Sequence, residues 1–176
     1  MNTNKTKMSE IKNEKFDLEF IERTKKIIEE YNGLYEITLL LNCLLGLIVL
    51  PSEYYTRKSR SFFEIELNQF DELKGLLDDA IFNPTKRNKG KWIADNKNLK
   101  TLIKKVRNGV SHQQIECIGN DGIWQSVIIK DINKSNKNNV ELHVCWTTNQ
   151  IKAFALFVAN SYLIQSSNLD ILVKNE

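Results

Sequence analysis

Three side chains able to hold a phosphate and move a proton fall within six positions of one another: Arg107, Asn108 and His112, the last being one of only two histidines in the chain. An imidazole ordinarily gives and takes protons near neutral pH. A guanidinium stays charged and can clamp a phosphate with two parallel hydrogen bonds. Together they suit cleavage of RNA by its own 2′-hydroxyl: a base removes the 2′ proton, charge grows on the phosphate, and an acid protonates the departing 5′ oxygen. In that chemistry Asn108 would orient the phosphate or the imidazole, and Ser111 could add a hydroxyl or cap the helix. One histidine cannot easily serve as both acid and base.

The spacing of the apolar neighbours decides what carries these residues. Leu99, Leu102, Ile103, Val106 and Val110 recur at intervals of 3, 4, 3 and 4, which is the buried face of a helix. Arg107 and His112 then lie about 140° apart around the helix axis. Either the helix loosens at Gly109, where glycine costs about 1 kcal/mol relative to alanine, or a second copy of the motif supplies the missing group. A two-fold dimer would bring two Arg107 and two His112 into one cleft and would also provide two proton-transfer groups.

Charge is concentrated just upstream. Residues 83 to 107 hold nine basic side chains and one acidic, a local +8 in a chain of net +3. A solvated charged face is the plain reading of such a run. Because this one leads into the Arg/His motif, Lys86, Arg87, Lys89, Lys91, Lys97, Lys100, Lys104 and Lys105 are expected to attract RNA phosphates.

An arginine, a polar residue and a histidine four to six positions on, at the end of an amphipathic helix, resemble the signature of the HEPN superfamily. Many of its small helical domains are metal-independent ribonucleases. Phe20-Ile21-Glu22-Arg23-Thr24 through Tyr31, and then Tyr35 to Pro51, are similar to the first two helices of a plasmid-associated bacterial branch, and the likeness covers about residues 16 to 165. The resemblance implies a catalytic trio of Arg107, Asn108 and His112 between two protomers, no metal or cofactor, and a toxin-like or anti-phage role with an antitoxin or other regulatory protein as a further partner. In some variants the motif continues to a tyrosine that a partner nucleotidyltransferase modifies. Here Gln113 and Gln114 follow instead. A catalytically silent HEPN domain binding nucleotide, RNA or a protein partner is the alternative. A third reading is a plain helical oligomerisation protein.

The surrounding elements suggest a mainly α fold: a HEPN-like bundle of about five helices with a small β-hairpin inserted before the last. Residues 1 to 15 read as a flexible N-terminal segment and 16 to 176 as a single domain, the usual outcome for a chain of 176 residues. Asp17 can cap a first helix that stops at Asn32-Gly33, with Phe20, Ile21, Ile27, Ile28 and Tyr31 as its buried stripe. The second, ending at Pro51, is apolar nearly all round and would form the bundle's axis. A third is expected from Phe62 to Phe82, followed by a basic loop from Thr85 to Lys97. After the motif helix the period changes from 3.6 to 2. Ile123 to Ile132 and Val140 to Trp146 read as a hairpin, with Glu141, His143 and Cys145 facing outward. Thr147 and Gln150 match a capping box for a last helix to about Gln165. The apolar stretch from Leu169 to Val173 has no obvious place.

The other reactive residues favour plainer roles. His143 reads as an outward strand residue, and Asp71-Glu72 and Asp78-Asp79 as a solvated helix face. Trp92 could stack on a base or anchor its loop. Cys43, Cys117 and Cys145 lack metal-ligand spacing and read as buried, reduced thiols of a cytoplasmic protein. The apolar run from Leu34 to Leu50 is shorter than the roughly 20 residues that span a bilayer, so a core helix is expected.

Overall fold

The computed structural model describes residues 16–58 and 60–173, without side-chain detail at 17, 50–61 and 167–173. The flexible N-terminal segment read at residues 1 to 15, and the capping side chain of Asp17, lie outside what is described. Helix α1 spans Phe16–Glu30 and α2 spans Glu36–Lys58. The α1 face is Ile21, Thr24 and Ile28, whereas Ile27 is 48% exposed. Helix α2 buries Ile37, Leu40, Leu41, Leu44, Leu47 and Ile48 against α1, the motif helix α4 (Leu99–Ser111) and the last helix α5 (Thr148–Val173). Its place at the axis follows from that all-round apolar surface. It does not stop at Pro51 but runs on to Lys58, although an internal proline removes a backbone donor and crowds the carbonyl one turn earlier.

A mainly α bundle of five helices is not what the chain forms. Among the described residues, four long helices share the fold with six antiparallel strands. The expected third helix is where the reading fails. One turn, α3 (Arg60–Phe63), is followed by two 3-10 turns at Leu67–Gln69 and Asp71–Leu73, and then by strand β1 (Ile81–Phe82). Tertiary hydrogen bonds win over the helical period here. Leu67 N–H donates to Lys97 O, Leu99 N–H donates to Ile65 O, and Gly75 at φ 59° turns the chain. Phe63, Phe70 and Leu73 still reach the core, which is why their spacing imitates a helix.

The basic loop is also structured. Strands β2 (Thr85–Asn88) and β3 (Lys91–Ala94) pair across a two-residue turn in which Lys89 and Gly90 both have positive φ, 45° and 82°. That is the turn a tight hairpin requires, made here by Lys-Gly where Asn-Gly is the common signal.

The second sheet has the order β1-β6-β5-β4, with β4 at Ile115–Asn120, β5 at Ile123–Asn133 and β6 at Asn139–Thr147. The expected β5–β6 hairpin is present; β4, joined to β5 through Asp121-Gly122, was not foreseen. Val127, Ile129, Leu142, Val144 and Trp146 turn one face of this sheet into the core, and α4 packs on β5. Trp146, buried in the core, donates its indole N–H to Leu76 O at 2.7 Å and so ties the irregular segment to β6. The capping box forms: Thr147 N–H donates to Gln150 Oε1 at 2.9 Å and Gln150 N–H to Thr147 Oγ1 at 3.4 Å. Residues 169 to 173 extend α5 beyond Gln165. Among the described residues no helix is long and apolar enough to cross a membrane.

Candidate active site at the end of the motif helix

Helix α4 begins where Asn98 accepts a hydrogen bond from Thr101 N–H at 3.0 Å, satisfying one of the free donors of the first turn. Leu99, Leu102, Ile103, Val106 and Val110 are all buried, as their spacing requires. The helix does not loosen at Gly109. Glycine is needed there because α4 lies against β5: a Cβ would stand 2.5 Å from Lys130 O and 2.7 Å from Ile129 Cγ2. The helix ends in two backbone bonds, Gln114 N–H to Gly109 O at 2.8 Å and Gln113 N–H to Val110 O at 3.1 Å. Gln113 takes the left-handed conformation, φ 56°, in the place where such an ending usually has glycine. His112 is the last residue before this turn, with its own N–H bonded to Asn108 O at 2.9 Å.

This ending leaves the His112 side chain exposed at the mouth of a cleft of about 620 Å³. Asn108, Lys104, Lys105, Lys86, Arg87 and Trp92 line it as well, together with Gln114, Asp131, Asn133 and Lys134 from the sheet side. The half-buried Arg107 does not line the cleft but joins it through Asn108, to whose Oδ1 its Nη2 donates at 3.2 Å. Asn108 in turn donates from Nδ2 to Asp131 Oδ2 at 3.3 Å. The amide is thereby held with its oxygen toward Arg107 and its nitrogen toward the floor.

Below Asn108 lies a buried ionic cluster. Lys105, 6% exposed, pairs with Asp131 at 3.2 Å and with Glu141, which also accepts from Thr85 Oγ1 and, at 2.8 Å, from Asn133 Nδ2. Burial pushes the Glu141 carboxyl up, but the hydrogen bonds from Lys105, Thr85 and Asn133 outweigh it and hold the group below the usual carboxylate range. Burial likewise disfavours the Lys105 ammonium, and its bonds to Glu141 and Asp131 more than reverse that, raising its pKa.

Glu141 was expected to face outward with His143 and Cys145. It is fully buried because the ladder slips between Asp131 and Ile132: Asp131 opposes Leu142, Ile132 opposes Val140, and Glu141 is the extra residue between them. Such a bulge re-aims a side chain. Here it turns a carboxylate onto the face that α4 covers.

The basic residues divide. Arg87 and Lys104 border the cleft, as does Lys86, which is paired with Asp95 at 3.0 Å. Burial raises the Asp95 pKa, and the bonds from Lys86 and from Asn96 N–H bring it below the ordinary value. Lys89, Lys91, Lys97 and Lys100 are exposed away from the cleft, Lys97 donating to Asn83 Oδ1 at 3.2 Å. Lys105 is in the cluster, its ammonium engaged by two carboxylates. Trp92, opposite Arg87 in the small hairpin, is half-buried with the cleft beside it. His143 is half-buried on β6 opposite Lys130. The thiols are not uniformly buried: Cys145 is exposed, and Cys43 and Cys117 are half-buried, their pKa raised by desolvation.

A model of the family described as HEPN pEK499 p136 matches residues 1–169. The chain belongs to this HEPN family. No curated protein and no solved structure matches it. Membership in a HEPN family is consistent with a nuclease or RNA-binding role. In this HEPN domain the sequence motif points to Arg107, Asn108 and His112, whereas Asp131, Glu141, Asn133 and Lys134 enter the site from strands and a loop that carry no motif. Their one signal was two acidic residues in strands otherwise rich in β-branched side chains.

Proposed function

We propose that this HEPN chain is a metal-independent endoribonuclease that cleaves RNA through attack of the neighbouring 2′-hydroxyl. One observation carries the reading: His112 and Asn108 open on a single cleft rimmed by Lys86, Arg87, Lys104 and Lys134, with Arg107 tied to Asn108. His112 transfers the proton, Arg107 stabilises the charge that grows on the phosphate, and Asn108 orients the guanidinium. His112 lines the cleft and Arg107 does not, which supports a site left incomplete by one protomer, with a two-fold partner supplying the second pair. The exposed end of α4 leaves room for that approach. The toxin-like role implied by the motif's resemblance follows from uncontrolled RNA cleavage in the cell that makes the protein.

The test is incubation of purified protein with RNA beside His112→Ala and Arg107→Ala. Each substitution should lower cleavage by about 10²-fold or more, and the double variant should be little worse, because groups acting as one unit are not additive. The products must end in a 2′,3′-cyclic phosphate and a 5′-hydroxyl. A 5′-phosphate end would make water the nucleophile and refute the mechanism. Light scattering tests the dimer: a monomer at micromolar concentration leaves the composite site without support.

A further inference from the structure

The cleft beside His112 combines a basic rim with an acidic floor, and a simple track for an RNA backbone needs only the rim. Two carboxylates in the floor, Asp131 and Glu141, share the single ammonium of Lys105. One formal negative charge is left over. Glu141 has both oxygens engaged, one by Lys105 and the other by Thr85 and Asn133. Asp131 does not. Its Oδ2 receives Lys105 at 3.2 Å and Asn108 at 3.3 Å, and no described residue donates a hydrogen bond to its Oδ1. Asp131 is 6% exposed and borders the cleft. Its Oδ1 has no donor among the described residues and is not sealed from the cleft, so a bound ligand can donate to it. Beside it, Trp92 and Ile132 form an apolar wall, and the indole offers the flat surface on which bases stack.

We propose that this floor is a base-reading subsite, in which one unpaired RNA base lies beside Trp92 and donates an exocyclic amino hydrogen to Asp131 Oδ1. Its phosphate then lies among Arg87, Lys104 and Lys134, next to His112. Adenine, cytosine and guanine carry such an amine. Uracil instead flanks its single N–H with two carbonyl oxygens, which the surplus negative charge repels. Reading the edge of a splayed-out base is the usual route to sequence preference on single-stranded RNA, and a carboxylate accepting from an amino group is a recognised pairing. The identity of the polymer rests on the ribonuclease reading above; the preference for an amine rests on Asp131.

Binding, measured separately from cleavage, tests it. His112→Ala protein is titrated into labelled oligoadenylate and into the same oligomer built from purine riboside, which replaces only the 6-amino group by hydrogen. Oligocytidylate and oligouridylate form a second pair. The amino-bearing member of each pair should bind about 10-fold tighter, within the range that one edge contact provides. Asp131→Asn should bring the members of each pair close to equal affinity. The ligand comparison stands by itself if that variant fails to fold. Equal affinities in both pairs, with binding still weakened by salt, overturn the subsite and leave the ribonuclease reading intact. If no oligomer binds, the subsite is overturned as well, and cleavage by the parent protein decides the ribonuclease reading separately.

Discussion

Replacing Gly109 by alanine sets two effects of known sign against each other. In a helix interior alanine is favoured over glycine by about 1 kcal/mol, so on local grounds the variant should be more stable. The added methyl, however, would stand 2.5 Å from Lys130 O and 2.7 Å from Ile129 Cγ2. Ordinary contact between such atoms is about 3.5 Å, so α4 or β5 must retreat by roughly 1 Å. The obstacle is backbone and cannot rotate away: Lys130 is paired with His143 on β6, and its N–H is bonded to Gln114 O. Overpacking of this kind costs about 1 to 3 kcal/mol. With the upper end appropriate for a backbone clash, the net loss is about 2 kcal/mol, which for a chain of this length lowers Tm by about 4 to 8 °C. Gly46→Ala in α2 is the control, since its Cβ would meet only the far end of the Phe20 ring, Cζ at 2.9 Å. That ring can move, so the helix preference should show and Tm should hold or rise. Thermal unfolding followed by circular dichroism reads both. A Gly109→Ala protein as stable as the parent, or more so, would mean that α4 does not lie against β5 as described, and the geometry of the cleft would fall with it.

Lys105→Met leaves Asp131 and Glu141 buried with no counter-charge and should cost about 3 to 5 kcal/mol, measured by urea unfolding; an unchanged midpoint would show that the cluster is not buried. The pH dependence follows from the two shifts. Glu141, held below its ordinary value, contributes stability above about pH 4.5 that is lost as pH falls through its folded pKa, and Lys105, held above its own, contributes stability below about pH 10.5 that is lost as pH rises through its folded pKa. Both wings of the stability profile should flatten in Lys105→Met. Gln113→Gly relieves a left-handed residue at the end of α4 and should raise stability by about 1 kcal/mol, read by urea unfolding; a loss of stability would count against the left-handed turn. Changing Arg87, Lys104 and Lys134, which border the cleft, to Glu should weaken RNA binding regardless of sequence and flatten its salt dependence, because phosphate contacts carry affinity rather than specificity; an unaltered salt slope would remove those residues from the interface.

What the amino-acid sequence determined by itself were the features that repeat or cap over a few residues. The stripe of α4, the apolar surface of α2, the β5–β6 alternation and the Thr147/Gln150 box all depend on neighbours within about one or two turns, so a linear reading registers them. The motif Arg107-Asn108-His112 was legible for the same reason. Tertiary structure decided the rest. Residues 62 to 82 have a helical period, yet they give up the helix for bonds to Lys97 and Leu99, and their end, Ile81–Phe82, pairs with β6. Lys105 stood in a basic run and read as one more phosphate contact. It is buried because Glu141, 36 residues further on, is turned inward by a slip in the ladder that no alternation pattern announces. A buried charge is tolerable only when its partner is present, and that partner is brought in by the sheet, not by sequence proximity.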